Sequence, residues 1–375
     1  MPALGEPRRG STHRLVRLQN HVCALGLLLM ISFPKPLRPG DLIAVTAPSS
    51  GVSGPAIARL DLVLDHLRSR GYRVVEGSCL RTEHKDASAP SQARADEFNR
   101  FLSDPDVSAI FPPWGGELAS ELLDRIDFEG LRRTTPKWLL GFSDVSTLQI
   151  PLTLITGWAT AHGPNLMDLA PTQTDPLTIG ALSVLERGLI APVEQRSSEK
   201  YQTKWTDFAD RADAPFNLTE ETCWKRLDGS SDPVSIHGRL IGGCLDTIAW
   251  LAGTRYGDIP SFVKSNRSQG TVLYLENAEM SPTGLVRALL SLKRHGWFEQ
   301  IAGLMLGRSA GPTPPSSTGL SYQDALTAAL SDLPYPVLYD TDIGHRPPQF
   351  TLINGAFARV TFSGFNGSIV QAAQA

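Results

Sequence analysis

The segment KWLLGFSDVSTL, residues 137–148, places a serine where a nucleophile could act. An apolar run that ends at Gly141 predicts a buried strand, and a second apolar segment after Ser143 and Asp144 is typical of a helix. A serine on a sharp turn between a strand and a helix lies at the carboxyl edge of a sheet, where it can attack a bound substrate. The same residues can instead cap the helix, because their oxygens accept its unpaired N–H groups. The segment alone leaves both interpretations open.

Two residues in the second half of the chain could take part in acid–base chemistry. Glu276 ends the apolar strand predicted in GTVLYLEN, where an unpaired carboxylate would be costly, and His345 follows Gly344 in a turn before two prolines. Taken alone, Glu276 can equally cap the next helix, and His345 is a common kind of loop histidine. We expect His162, in TAHGP, to organise a turn behind the pocket, because one histidine is enough for a serine-based mechanism.

Composition predicts a globular protein that binds small ligands. The 375 residues, 41% of them hydrophobic, are enough to bury a sizeable core and to form two domains. A net charge of -3 without a basic stripe gives no reason to expect a nucleic acid or an anionic membrane as partner. The cysteines form no C-x-x-C pair, so we expect buried thiols in a reducing compartment, the cytoplasm, and no zinc site or disulfide framework. They are Cys23, Cys79, Cys223 and Cys244.

Residues 1–29 combine a basic stretch with a short apolar run and so imitate a secretory signal. No small-residue cleavage site follows, and the apolar run is too short to span a bilayer. We therefore interpret residues 1–29 as an extension or an upstream mis-start, with Met30 as the natural start. An export signal is the alternative.

From residue 41 the predicted strands and helices alternate, which indicates βαβ units and a parallel sheet covered on both faces. Ligands bind outside the carboxyl ends of such strands, and that edge collects the turns TAPSS, PPWGGE and GFSD. A second α/β block begins near Ser235, where GRLIGGCLDTIAWLAGT predicts a glycine-rich turn that leads into a helix. We expect a pocket at the first edge.

Residues 171–235 interrupt this regularity with a segment rich in Thr, Asp, Ser and Pro. A loop of this length in a compact protein is often a lid or a binding element. Its aromatic rings can pack the segment onto the domains or contact a ligand. These rings belong to Tyr201, Trp205, Phe208, Phe216 and Trp224.

The motifs together resemble the LD-carboxypeptidase family of serine peptidases, most closely its branch of microcin C immunity proteins. They occur in the family's order over residues 34–365. The resemblance implies an N-terminal parallel-sheet domain of Rossmann-like, class I glutaminase-like fold (34–170). It also implies a linker or lid (171–235), a smaller C-terminal α/β domain (236–370) and an active site between the domains. The motifs are KPLRPGDLIAVTAPSS, WGGELASELLDRID, PKWLLGFSDVSTL, ATAHGP, GRLIGGCLDTIAWLAGT, LYLEN and IGHRPPQFTLINGA.

The resemblance also assigns roles to single residues. The family's nucleophile lies in its G-[FY]-S-D turn, which is Ser143 here, and its triad partners correspond to Glu276 and His345. The oxyanion donors would be the backbone N–H groups of Gly116 and Asp144. Trp114 precedes the glycine pair where other members carry assorted residues, which leaves the first wall of the pocket undefined.

These assignments imply a serine-type carboxypeptidase that cleaves an amide through an acyl-enzyme, with no metal or organic cofactor. The substrate is an aminoacyl-nucleotide in the immunity branch, or a murein tetrapeptide in peptidoglycan recycling. A ring that stacks on a purine favours the former, and we choose Trp205 for it, with Tyr201 and Trp224 in reserve and Gly115 as a further substrate contact. The family also implies a homodimer. A cleft that binds peptide or nucleotide without cutting it is the non-enzymatic alternative.

Overall fold

The computed structural model describes residues 30–204, 210–314, 316 and 318–374. In these residues the strands, numbered in chain order, are β1 (Leu42–Val45), β2 (Arg73–Glu76), β3 (Val107–Ile110), β4 (Trp138–Gly141), β5 (Thr160–His162), β6 (Val193–Arg196), β7 (Lys200–Tyr201), β8 (Glu220–Glu221), β9 (Lys225–Arg226), β10 (Val234–Cys244), β11 (Thr271–Glu276), β12 (Gly303–Gly307), β13 (Val337–Thr341), β14 (Leu352–Asn354), β15 (Phe357–Ser363) and β16 (Asn366–Ala372). The α-helices are α1 (Ala56–Ser69), α2 (Ser91–Ser103), α3 (Phe128–Leu131), α4 (Ser146–Pro151), α5 (Pro176–Arg187), α6 (Leu245–Ile248), α7 (Ile259–Ser265), α8 (Pro282–Arg294) and α9 (Tyr322–Leu330).

The first sheet has six strands in the order β14-β5-β4-β3-β1-β2. Strands β5, β4, β3, β1 and β2 pair in parallel, so their carboxyl ends meet at one edge. Strand β4 is buried along its whole length, as expected for the centre of a sheet covered on both faces. The predicted α/β class with a parallel N-terminal sheet is confirmed.

The second sheet has eight strands in the order β6-β16-β15-β10-β11-β12-β13-β9. Its centre, β10 to β13, is parallel, and antiparallel strands extend it on both sides. The predicted C-terminal α/β unit is present, but its sheet is the larger of the two, because β6 and β9 from the segment 171–235 join it. That segment also forms α5 and the antiparallel pair of strands β7 and β8, so it is less irregular than its composition indicates.

The glycine-rich stretch in GRLIGG is not the turn that the sequence suggests. It forms the end of the eleven-residue strand β10, and the helix begins only at Leu245. The reason lies in packing between the sheets: a Cβ atom on Gly243 would lie 2.7 Å from both Cβ and Oγ of Ser146. Glycine at this position lets strand β10 lie directly against helix α4, which follows β4 of the first sheet in the chain.

Two further contacts join the two sheets. Strand β14 follows the second sheet's β13 in the chain but pairs antiparallel with β5 of the first sheet. Asn354, at the end of β14, accepts the Tyr274 hydroxyl at 2.8 Å and donates to Thr160 Oγ1 at 3.1 Å. These side chains are buried, so the hydrogen bonds fix the position of one sheet against the other. None of the described helices combines the length and the apolar character needed to cross a membrane.

Candidate active site

Ser143 lies at the carboxyl end of β4 and begins a 3₁₀-helical turn, Ser143–Val145. Its φ is +62°, a strained value for a residue with a side chain and one that is common at functional sites. The hydroxyl does not cap the following helix; its Oγ lies 3.0 Å from Nε2 of His345. The turn therefore presents the serine to a histidine from the other sheet.

Asp144, which the sequence leaves as a possible capping group, fastens three segments to the turn. Its buried carboxylate accepts the Ser49 hydroxyl at 2.6 Å, the Ala119 N–H at 2.8 Å and the Thr147 hydroxyl at 2.9 Å. Burial raises the pKa of this carboxyl, and the three hydrogen bonds partly offset that effect. The side chain thereby holds the turn, while its backbone N–H remains beside the serine.

His345 and Glu276 approach Ser143 from the second sheet. Glu276 ends β11 and is 1% exposed, and its Oε2 lies 2.8 Å from Nδ1 of His345. The histidine follows Gly344, whose φ is +90°. A Cβ atom on Gly344 would lie 2.6 Å from Cδ of Glu276, so glycine is needed for this approach. The three side chains form one hydrogen-bonded chain from carboxylate to imidazole to hydroxyl.

The histidine and the glutamate each stabilise the charged form of the other. Burial lowers the pKa of His345, but the charge and hydrogen bond of Glu276, together with the charges of Asp246 and Asp168, outweigh burial, and the pKa lies above its ordinary value. Burial raises the pKa of Glu276, but the charge and hydrogen bond of His345, together with smaller contributions from His162 and Cys244, outweigh burial, and the pKa is lowered. The carboxylate thus favours an imidazolium, the state His345 would reach on taking the proton of Ser143.

The glycine pair of WGGE lies against the Ser143 turn. A Cβ atom on Gly115 would lie 2.7 Å from Ser143 Cβ and 2.8 Å from the Asp144 nitrogen, so a side chain there would fill the space over the serine. Gly116 follows in the same turn, and Trp114 is held by its Nε1–H, which donates to the Ser50 carbonyl at 3.1 Å. The backbone N–H groups predicted as oxyanion donors therefore belong to two turns in contact.

A cavity of about 420 Å³ opens over Ser143 and His345. Three carboxylate residues line it, and among the described lining residues there is no lysine or arginine. The carboxylates belong to Glu117, Asp168 and Glu279. Besides these, Ser143 and His345, the lining residues are Ser50, Trp114, Gly115, Gly116, Phe142, Asn165 and Met167. Gly115, expected to contact substrate, is in this wall.

A second cavity of about 530 Å³ lies beside the histidine, and Asn277 and Arg346, the neighbours of Glu276 and His345, line it. Tyr201, a predicted substrate contact, lines it too, with its ring 4.6 Å from the Arg308 guanidinium carbon. The cavity is wide enough for a ligand of nucleoside size.

The sequence also predicts ligand contacts for the rings of Trp224 and Trp205. Trp224 is 0% exposed and donates its Nε1–H to Asp342 at 2.7 Å, so its ring belongs to the core and the prediction of a ligand contact is wrong. A segment with little regular structure gives no periodicity from which to tell a core ring from a surface ring. Trp205, the first choice for stacking, lies outside the described residues.

His162 is more deeply placed than the predicted turn position. It ends β5 inside the sheet, is fully buried, and its Nδ1 lies 3.4 Å from the Ser146 hydroxyl. Burial lowers its pKa to about 4, so the ring is neutral near pH 7. Tyr274 stacks edge-on at 5.3 Å between ring centres, which places His162 behind the site.

Two side chains near Ser143, His345 and Glu276 have no role assigned to them from the sequence. Cys244 pairs in register with Glu276, and ligand atoms of Cys244, Glu276 and His345 lie within 4.8 Å of one another. Such a trio could ligate a metal, but the imidazole and carboxylate face each other and burial holds the pKa of the thiol well above its ordinary value. Asp168 lines the cavity; GPNLMD carries no motif that would have identified it.

The chain also matches models of known families. Residues 43–163 match the LD-carboxypeptidase N-terminal domain, and residues 237–360 match the LD-carboxypeptidase C-terminal domain. The two matches cover most of the chain and include Ser143 in the first and Glu276 and His345 in the second.

Curated relatives align over nearly the whole chain. A putative carboxypeptidase of Vibrio cholerae is 28% identical over 335 residues, with 88% of this chain and 95% of the relative covered. The microcin C7 self-immunity protein MccF of Escherichia coli is 25% identical over 340 residues (90% and 95%). A probable murein peptide carboxypeptidase of Bacillus subtilis is 26% identical over 329 residues (87% and 90%).

Solved structures have the same fold. The structure of MccF in complex with glutamyl sulfamoyl guanosine superposes with a TM-score of 0.77 at 23% identity, over 92% of this chain and 99% of MccF. The resemblance found in the sequence motifs is confirmed. With both family domains matched in order and the fold shared, this chain belongs to the LD-carboxypeptidase family.

Proposed function

We propose that this protein is a serine hydrolase that cleaves an amide bond through a Ser143–His345–Glu276 triad. The supporting observation is the hydrogen-bonded chain, 3.0 Å from Ser143 Oγ to His345 Nε2 and 2.8 Å from His345 Nδ1 to Glu276 Oε2. The serine sits on a strained turn at the mouth of a cavity, which is the usual placement of a nucleophile.

The reaction would run in two halves. His345 Nε2 takes the proton of Ser143 as Oγ attacks the carbonyl carbon, and the resulting oxyanion accepts the N–H groups of Gly116 and Asp144. The imidazolium then gives its proton to the leaving nitrogen, the amide C–N bond breaks and an acyl-enzyme remains. In the second half, His345 takes a proton from water, hydroxide attacks the ester, and Ser143 regains its proton on release of the acid.

We further propose aminoacyl-nucleotide compounds as substrates. The leaving nitrogen receives a proton from His345, so the leaving group lies on the histidine's side, where Arg346 and Asn277 line the cavity of about 530 Å³. That space is far larger than a D-alanine, and Tyr201 offers a ring at its wall. MccF, a relative of this chain, was solved with an aminoacyl sulfamoyl nucleoside, which is consistent with this substrate class.

A murein tetrapeptide is the second candidate. A terminal D-alanine carboxylate calls for a cationic partner, and Arg308 and Arg346 line the same cavity. Among the relatives, a probable murein peptide carboxypeptidase of Bacillus subtilis aligns over 87% of this chain. The guanidinium groups are partly occupied, because Arg346 Nε donates to the Ser309 carbonyl at 2.7 Å and Arg308 pairs with Asp342.

Product analysis by mass spectrometry separates the two candidates. The full chain is incubated with aspartyl sulfamoyl adenosine and, separately, with a murein tetrapeptide, with Ser143→Ala as the matched control. We expect free aspartate and sulfamoyl adenosine from the wild type only, at rates that EDTA leaves unchanged. Release of D-alanine alone would favour the cell-wall peptide, and no cleavage of either would leave a binding protein.

A further inference from the structure

The cavity over Ser143 and His345 has an anionic wall. Glu117, Glu279 and Asp168 line it, with no lysine or arginine among the described lining residues. Burial and then the negative charges of Glu279 and Asp144 raise the pKa of Glu117, so these carboxylates repel one another. A bound cation would relieve that repulsion.

Asp168 is the buried carboxylate of this wall, whereas Glu117 and Glu279 are exposed. The residue is 6% exposed, and its Oδ2 accepts the Asn165 N–H at 3.0 Å. Its other carboxylate oxygen has no partner among the described residues. The nearby guanidinium of Arg59 donates to the carbonyls of Met167, at 2.9 Å, and Ala214, at 2.8 Å, and contributes only its charge. That second oxygen of Asp168 is open to the cavity, where a ligand can supply a donor.

The position of the anionic wall indicates which part of the substrate would bind there. In the proposed reaction the leaving group lies beside His345, so the acyl group would extend toward the first sheet, from whose turns Asp168 and Glu117 enter the cavity wall. We propose that Asp168, assisted by Glu117 and Glu279, binds a free ammonium group on the acyl part of the substrate. This deepens the proposed function and rests on it: an aminoacyl-nucleotide carries its free α-ammonium next to the scissile carbonyl, whereas the corresponding nitrogen of a murein tetrapeptide is an amide.

The test compares alanyl sulfamoyl adenosine with its N-acetyl derivative, in which a neutral amide replaces the ammonium, and reads the effect of the charge from how Asp168→Asn changes the ratio of the two rates. For the wild type we expect kcat/KM to be roughly 10- to 100-fold higher for the free amine, the range for a hydrogen bond between charged groups. Asp168→Asn, which keeps an acceptor for the Asn165 N–H, should remove most of this preference through a higher KM. Its rate with the acetylated compound should change less than about threefold.

Asp175→Asn is the matched control, because Asp175 is also buried, accepts the Thr178 N–H at a helix start and does not line the cavity. It should keep the full preference. Equal losses on both compounds in Asp168→Asn would show a structural role and overturn the proposal.

Calorimetric titration of Ser143→Ala with the same two compounds separates this proposal from the proposed function. Tighter binding of the free amine that Asp168→Asn abolishes supports the anionic wall even when the wild type cleaves neither compound. Equal affinities for the two compounds, or no binding of either, would overturn the proposed ammonium site whatever the catalytic result.

Discussion

At the residue scale, Ser143 needs a base that is itself held in one orientation. Nδ1 of His345 faces the buried Glu276, so Nε2 is the nitrogen left for the serine, and the imidazolium formed on proton transfer is stabilised by the carboxylate. Phe142 packs edge-on against the imidazole at 4.7 Å between ring centres, which further limits its rotation. Each of the three polar groups therefore has one defined partner.

Replacing Ser143 by alanine removes the nucleophile and should lower kcat by about 10⁴- to 10⁶-fold, the usual loss on disabling a triad. The double variant Ser143→Ala/His345→Ala should lose hardly more, because the same step is already blocked. Steady-state rates and melting temperatures of the wild type, the two single variants and the double variant check this. Additive losses, or more than about a tenth of wild-type activity in Ser143→Ala, would contradict the triad.

The pH dependence tests the pairing of His345 with Glu276. The base must be neutral, and its pKa is raised in the folded protein, so kcat/KM should fall as pH drops through a value above the ordinary histidine pKa of about 6.5. In Glu276→Gln the raising charge is lost while burial still lowers the pKa, so the acidic limb should move to lower pH and the plateau rate should drop. An unmoved limb in a folded variant would show that another group titrates.

The motifs that resemble the family were enough to select these three residues from the sequence, whereas residue type and position alone left Ser143 and Glu276 as possible helix caps and His345 as a loop histidine. They were not enough for Asp168, which lies outside those motifs, or for Cys244, which lies in GRLIGGCLDTIAWLAGT but has no role assigned to it, because both gain their place only through the packing of neighbouring strands and turns. Trp224 shows the converse: a ring in an irregular segment can lie in the core.

At the element scale, the alternation of strand and helix patterns predicted the first sheet, because its buried parallel strands appear in the sequence as short apolar runs. The stretch in GRLIGG could not be predicted in the same way. Its glycines are needed for contact with α4, which is distant in sequence, and not for a local turn. Local patterns carry no information about such contacts.

The turn that carries His345 gives an element-scale prediction. Gly344→Ala forces a methyl group to within 2.6 Å of the Glu276 carboxyl carbon, so the turn must shift and the histidine with it. We expect kcat/KM to fall about 100-fold, the effect of a displacement near 1 Å, and stability to fall by about 1 to 2 kcal/mol from the positive φ. Rates and denaturant unfolding measure the two effects separately.

Gly364→Ala is the control for this experiment. Gly364 also has a positive φ, +54°, but a Cβ atom there would meet nothing within 4 Å. The variant should show a similar loss of stability and unchanged rates. If both alanine variants keep full activity, the Gly344 turn has room that its geometry does not indicate.

At the scale of the whole molecule, the proposed nucleophile Ser143 and its two proposed partners come from different sheets, so the proposed reaction depends on how the sheets pack. Ser146, three residues after the nucleophile, accepts the Cys244 N–H at 3.1 Å, and Cys244 is the strand neighbour of Glu276. One hydrogen bond thus links the turn that carries the serine to the strand pair that carries the glutamate.

Gly243→Ala tests this dependence. The added methyl would lie 2.7 Å from Ser146 Cβ, so α4 and β10 must separate, the Ser143–His345 distance should lengthen, and kcat/KM should fall about 100-fold. Overpacking of this kind costs about 1 to 3 kcal/mol of unfolding free energy. Gly180→Ala is the control: it lies in α5, where a Cβ atom meets nothing within 4 Å, and should raise stability by about 0.5 to 1 kcal/mol without changing rates. Wild-type activity in Gly243→Ala would mean that the two sheets can adjust to each other without moving the serine, and that their packing does not set the catalytic distance.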